Sequence, residues 1–276
     1  VIPESLRKQV AVDDRGGLVF LARRDLLGAV GEERLDDPSR WSALLGGAAG
    51  AAGRGATARL TLPGGTRVVL KALRRGGLTT FLWRDHFLGA RRLIDNFVIP
   101  LEAVRRGVAT AGPVALLIER RTLGLCRGWL AIEEITGAID LLSWLREGRP
   151  PGAVGEAIRA VRGLHDAGVD HRDLNLGNLL LRPGDGERVE GFVIDLDRAR
   201  LCDSPLPLGP RARGLRRIER SYVKNFGSGG PLAPDAGERL DSLYAGDDIE
   251  LARRLDDARP AGQFWIWVHA LRWPKR

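Results

Sequence analysis

Apolar residues change their period along this chain at about residue 136. Before that point they form short runs. Leu18-Val19-Phe20-Leu21 opens a strand, and a polar, helix-like connection leads to a small-residue stretch over 46–55. Leu60 and Leu62 then alternate with polar residues, Pro63-Gly64-Gly65 supplies a turn, and Val68-Val69-Leu70-Lys71 returns, which predicts a β-hairpin. Between residues 81 and 106, Leu, Ile and Phe recur at three- and four-residue spacing, predicting a helix that Pro100 should break or kink. Residues 114–119 and 129–135 read as further strands. After 136 the period lengthens. Residues 140–146 are helical and stop at Gly148-Arg149-Pro150-Pro151-Gly152. Val154, Ile158, Val161 and Leu164 then mark a helix over 153–167, with Gly168 as its stop. Residues 179–181 and 191–194 form two short strands around Pro183-Gly184-Asp185-Gly186. The expected organisation is an α+β chain with a β-rich lobe, 1–135, and a helical lobe, 136–276.

Composition narrows the setting. With 276 residues and 44% hydrophobic content the chain can bury a substantial core. It holds no run of about 18 apolar residues, and its start lacks a basic segment followed by an apolar secretory core, so a cytoplasmic chain is expected. Cys126 and Cys202 are far apart and read as reduced structural thiols. A net charge of +8, carried almost entirely by Arg, calls for an anionic partner: nucleic acid, anionic lipid or a phosphorylated substrate.

The chemistry concentrates in His171-Arg172-Asp173-Leu174-Asn175-Leu176-Gly177-Asn178 and, beyond the predicted hairpin, Ile194-Asp195-Leu196-Asp197. Phosphoryl transfer needs an acceptor hydroxyl aimed in line and divalent metal to spread charge on the triphosphate. Asp173 can orient the hydroxyl. Asn178 and Asp195 offer hard oxygen ligands suited to Mg2+, and the hairpin would bring them to neighbouring strand ends. The nucleotide side needs a flexible backbone cradle and a cation. Gly53 and Gly55, with Arg54 between them, supply the first in a Gly- and Ala-rich segment that enters the hairpin. Lys71, at the end of the returning strand, is the only Lys between Lys8 and Lys224, and a point charge there suits phosphates. Such a Lys calls for a carboxylate from the following helix, with Asp95 and Glu102 as candidates. Glu133 and Glu134 fall at the expected crossing between lobes, where the adenine ring would meet backbone groups.

These segments resemble the lipopolysaccharide kinase family, and within it the 3-deoxy-D-manno-octulosonic acid (Kdo) kinases. Gly53-Arg54-Gly55 is similar to the family's phosphate loop, Leu70-Lys71-Ala72-Leu73-Arg74-Arg75-Gly76-Gly77 to its lysine strand, residues 171–178 to its catalytic loop, and residues 194–199 to its metal-binding segment. The similarity spans roughly 18–226. Asp95 and Asn96 stand nearest to where the family has a glutamate. The resemblance implies a protein-kinase-like two-lobed fold with a reduced helical C-lobe, ATP as donor, Mg2+, and the 4-hydroxyl of Kdo on lipid A as acceptor, at the cytoplasmic face of the inner membrane.

Other features separate this reading from its neighbours. Asp195-Leu196-Asp197 replaces Asp-Phe-Gly and no Ala-Pro-Glu follows, which argues against a protein kinase. Arg213, Arg216, Arg217 and Arg220 form a predicted basic stripe opposite Leu215, Ile218 and Tyr222, suited to lipid A phosphates or anionic headgroups. Phe264-Trp265-Ile266-Trp267-Val268 and Trp273, beside Arg272, Lys275 and Arg276, read as a packed terminal element, with interfacial aromatics at a membrane surface as the alternative. The alternatives are a heptose kinase of the same family, a kinase for another small molecule, and a non-catalytic basic protein binding nucleic acid, which only the charge supports.

Overall fold

In a computed structural model, residues 2–46, 57–74, 86–186, 188–227 and 230–259 are described. Gly53, Arg54 and Gly55, part of the Arg-Arg-Gly-Gly run and the C-terminal aromatic segment lie outside them. Contacts divide the chain into two units, residues 1–102 with 111–136, and residues 103–110 with 137–276.

The first unit is built on an antiparallel sheet of β1 (Val10–Arg15), β2 (Leu18–Arg23), β3 (Thr57–Thr61), β4 (Arg67–Ala72), β5 (Phe87–Leu88), β6 (Pro113–Arg120) and β7 (Leu125–Glu133). The order is β1-β2-β6-β7-β4-β3, with β5 also on β7. The predicted hairpin is β3–β4, in a register that sets Lys71 opposite Thr57, while β7 sets Leu130 on the other side of Lys71. Side chains alternate across the sheet. Val19, Leu21, Leu73, Leu116, Ile118 and Leu130 enter one core, where helix α3 supplies Leu93, Phe97, Val98 and Leu101. Ala22, Val68, Leu70, Leu117, Trp129 and Ala131 enter the opposite core, covered by α1 (Leu27–Glu32) and α2 (Pro38–Gly46) through Val30 and Trp41, with Leu35 from the turn between them. The polar connection after β2 is thus a helical cover for one face of the sheet.

Helix α3 spans Arg91–Arg105 and runs through Pro100, where a break or kink was expected. A proline inside a helix costs about 3 kcal/mol, whereas full burial of one large apolar side chain contributes roughly 1.5–3 kcal/mol. Four such side chains bracket Pro100 on the buried face, so packing outweighs the lost hydrogen bond.

The second unit contains α4 (Leu141–Arg146), α5 (Val154–Asp166), α6 (Leu208–Phe226), α7 (Ala236–Ala245) and α8 (Ile249–Asp257). Its strands are β8 (Ile139–Asp140), β9 (Val169–Asp170), β10 (Leu179–Pro183), β11 (Val189–Val193) and β12 (Arg200–Leu201). They form a β11-β10-β8 sheet and a β12-β9 pair. Asp140 caps α4 by accepting the Ser143 N–H at 3.0 Å. The amphipathic helix read from Val154, Ile158, Val161 and Leu164 is α5, with all four side chains buried. Gly168 ends it at φ 77°, and a Cβ there would stand 2.5 Å from the Cys202 carbonyl oxygen. Gly191 lets β11 pass directly against the α5 backbone at Glu156, where a side chain has no room. Residues 103–110 are anchored in this unit. Val193 N–H donates to Ala109 O at 2.9 Å, and Arg106 reaches the carbonyls of Ala167 and Cys202 at 2.9 and 2.6 Å.

Candidate active site

The loop between β9 and β10 builds its shape from its own residues. His171, 1% exposed, accepts the Asp173 N–H on Nδ1 at 3.1 Å and donates from Nε2 to Ile194 O at 3.0 Å. Accepting on one nitrogen and donating from the other is the neutral tautomer. Burial holds the imidazole below its usual pKa, against the Ile194 contact and the charges of Asp195, Asp173 and Asp197, which favour the cation. The buried ring therefore ties the chain before Asp173 to the chain before Asp195.

Asp173 itself has an exposed carboxylate. Its backbone oxygen accepts both the Asn175 and the Asn178 side-chain amide, each at 2.9 Å. Asn175 also caps the turn over Leu176–Asn178, its Oδ1 accepting the Gly177 N–H at 2.9 Å. With Nδ2 of Asn178 committed to Asp173 O, its Oδ1 is the atom left as an oxygen donor to a cation.

The β10–β11 register pairs Leu179 with Val193, so Asn178 and Ile194 stand at the same end of the hairpin. Ile194 N–H closes it by donating to Asn178 O at 2.9 Å. Asp195 follows at φ 64°, a left-handed conformation that costs most side chains about 1–2 kcal/mol and that Asp tolerates better than most. This turn leaves the Asp195 carboxylate exposed. Asp173 and Asn178 thus belong to one hydrogen-bonded network, and Asp195 directly follows its Ile194 member.

An amide oxygen beside a carboxylate fits Mg2+, which takes hard oxygen ligands, usually from one or two carboxylates together with waters and substrate phosphates. Among the described residues no group of three or more His, Cys, Asp or Glu side chains forms a metal cluster.

Behind the loop stands α6. Ser221 Oγ accepts the Leu176 N–H at 3.3 Å, and Arg217 Nη1 donates to His171 O at 3.4 Å. The predicted four-residue basic stripe is split here. Arg216, with an 11% exposed side chain, bonds Glu219 at 2.6 Å and pairs with Asp241, which also meets Arg259 at 2.9 Å. Helical periodicity placed Arg216 with its neighbours, but α7 brings Asp241 against it. Burial raises the pKa of both Glu219 and Asp241 despite these cations.

Of the remaining sequence candidates, Lys71, Asp95 and Glu102 lie in the first unit. Alternation along β4 puts Lys71 on the face of Leu73, the face that α3 covers. Glu102 on α3 is 4% exposed and accepts Ser5 Oγ at 3.2 Å, while Asp95 is half-buried. Glu133 pairs with Arg23 at 2.6 Å, and Glu134 with Arg59 and Arg67 at 2.7 and 2.8 Å. The reading of single residues missed His171, Asn175, Ser221 and Arg217 as parts of the loop's scaffold. Only the His-x-Asp spacing carried a signal for any of them.

Comparison with known proteins identifies the family. The lipopolysaccharide kinase (Kdo/WaaP) family matches residues 42–231. The chain is 31% identical over 207 residues to the 3-deoxy-D-manno-octulosonic acid kinase of Vibrio parahaemolyticus serotype O3:K6, covering 71% of this chain and 83% of that one. It is 31% identical over 199 residues to the kinase of the same name from Xanthomonas oryzae pv. oryzae, covering 70% and 73%. A solved structure of WaaP in complex with acyl carrier protein is 24% identical, covers 84% of this chain and 95% of that one, and superposes with a TM-score of 0.50, which shows a shared fold. The α+β architecture is accordingly kinase-like, and the chain belongs to the lipopolysaccharide kinase (Kdo/WaaP) family.

Proposed function

We propose that this chain transfers the γ-phosphoryl group of ATP to a hydroxyl of Kdo, the 4-hydroxyl of the sugar attached to lipid A. The observation that carries the reading is the 171–195 network, in a chain whose relatives are named Kdo kinases. Asp173 is the catalytic base: it accepts the proton of the attacking hydroxyl as the new O–P bond forms and the bond to the departing ADP breaks. Its exposed carboxylate on a rigid loop suits a group that must meet a large, lipid-borne acceptor. Asn178 and Asp195 would hold Mg2+, which when bound spreads the negative charge of the phosphates. Lys71 steadies the nucleotide phosphates. Its partner on α3 is Glu102 rather than Asp95, because a carboxylate buried this deeply in the sheet core needs a counter-charge. Gly53, Arg54 and Gly55 are assigned to the phosphate loop on sequence alone.

A lipid-linked acceptor implies work at an anionic inner-membrane surface, approached from the cytoplasmic side. Among the described residues no helix is long and apolar enough to cross a membrane, so attachment at that surface would be peripheral. The test is to incubate the protein with labelled ATP, Mg2+ and either Kdo-lipid A or a heptose-bearing core, and to locate the label. Phosphate on Kdo is expected; phosphate on heptose alone would transfer the activity to the related heptose kinase reading.

A further inference from the structure

Helix α6 carries five arginines, and the structure treats them in two ways. Arg211 and Arg216 meet carboxylates, at 2.6 Å from Asp166 and 2.6 Å from Glu219. Arg213, Arg217 and Arg220 follow at i, i+4 and i+7, within about 60° of one another around a helix that turns about 100° per residue. Among the described residues none of these three has an ion-pair partner. Their face borders the catalytic loop, because Arg217 is the residue that donates to His171 O. Arg172 joins them from the loop itself, exposed and immediately before Asp173, with its Nε 3.9 Å from Asp170.

A solvated charged face does not account for this arrangement. Arg217 is half-buried, and burial together with the repulsion of Arg213, Arg220 and Arg172 holds its guanidinium below the usual pKa, with Asp170 the nearby charge that opposes the shift. These four guanidinium charges outnumber the carboxylates of Asp170 and of Asp173 next to Arg172, and their mutual repulsion is relieved when an anion arrives. The cations are all guanidinium groups, whose planar fork matches a carboxylate with two parallel hydrogen bonds.

We infer that Arg172, Arg213, Arg217 and Arg220 form a subsite for the carboxylate of the acceptor sugar acid, beside the base that takes its hydroxyl proton. This rests on the proposed Kdo acceptor, a sugar that carries an acid group and a reactive hydroxyl on one small ring. The subsite then selects an acidic sugar over a neutral one and fixes how the ring presents its hydroxyl to Asp173.

The test uses the methyl glycoside of Kdo and its C1 carboxamide as probes, with binding measured by calorimetry on the full chain and phosphoryl transfer to Kdo-lipid A followed in parallel. Wild-type protein is expected to bind the carboxylate about tenfold or more tightly than the carboxamide, the worth of a charge-assisted hydrogen bond. Arg217→Gln should remove most of that preference. The double variant Arg213→Gln/Arg220→Gln should do the same without touching the residue that bonds His171 O, with ADP affinity unchanged. Variants that keep the preference would overturn the assignment, and so would an equal loss of ADP affinity, which would give the cluster to nucleotide phosphates. Preference without transfer to Kdo-lipid A would leave the subsite standing and remove the kinase assignment. Transfer without preference would do the reverse.

Discussion

The two units carry their candidate chemistry in opposite ways. In the second, Asp173, Asn178 and Asp195 fall within 25 residues and are held mainly by bonds from their own segment, His171 to Ile194, both asparagine amides to Asp173 O, and Ile194 to Asn178, with Ser221 and Arg217 of α6 behind them. In the first, the surroundings of Lys71 come from distant stretches of chain. Leu130 flanks it in the sheet, α3 covers its face, and Glu102 is tied to Ser5, 97 residues away. A site made of local hydrogen bonds resists change in the rest of the fold, whereas one made of long-range packing inherits every shift in it. Chemistry and stability should therefore separate in the second unit and mix in the first.

The largest expected effect tests that separation directly. Asp173→Ala should lower kcat for Kdo phosphorylation by about a thousandfold, in the range of general base catalysis, while leaving the melting temperature unchanged because the carboxylate is exposed. A matching fall in melting temperature would show that the loop depends on this side chain for its fold.

Next in size is the support behind the loop. Arg216→Ala leaves Asp241 and Glu219 buried with less compensation, at a cost of about 3 kcal/mol in unfolding free energy. Denaturant titration should show it. A loss below about 1 kcal/mol would make this network a surface pair in energy, whatever its burial.

A pH effect comes third. His165 is 1% exposed, and burial, then the charge of Arg211, lowers its pKa to about 3. Arg211 donates to the Tyr244 hydroxyl at 3.0 Å, and that hydroxyl lies 2.8 Å from His165 Nδ1, consistent with a neutral ring that accepts. A folded pKa below the unfolded value of about 6.5 means that stability is full above pH 6.5 and falls as pH drops towards 3, by about 1.4 kcal/mol per unit. Unfolding free energies at pH 7 and pH 5 should differ less in His165→Gln than in wild type. Equal differences would move the acid sensitivity to another group.

The smallest effect sharpens the first unit. Glu102→Gln should reduce kcat about tenfold, the difference between a charged and a neutral hydrogen-bond partner for Lys71, whereas Asp95→Asn should change it by less than about twofold. A reversed order would give the ion pair to Asp95.

What was legible followed the same division. The hairpin turn at Pro63-Gly64-Gly65, the α5 period, the Gly168 stop and the Asn178–Asp195 juxtaposition were readable because each depends on neighbours in sequence. Strand β1 was not read, since Val10-Ala11-Val12-Asp13-Asp14-Arg15 is polar over half its length and is a strand only because β2 accepts it at the sheet edge. For the mirror reason Pro100 does not break the helix: its local penalty is real, and the packing that offsets it comes from the sheet.

By itself the sequence determined the shape of the 171–178 loop, because a turn's hydrogen bonds join residues two to five positions apart and residue type decides who donates. Tertiary structure alone decided which charges are free to act. Arg216 and Arg217 are adjacent and chemically identical, yet α7 brings a carboxylate to one, while the other faces the 171–178 loop among like charges. Burial and counter-charge are properties of what the fold brings near, and no period along the chain encodes them.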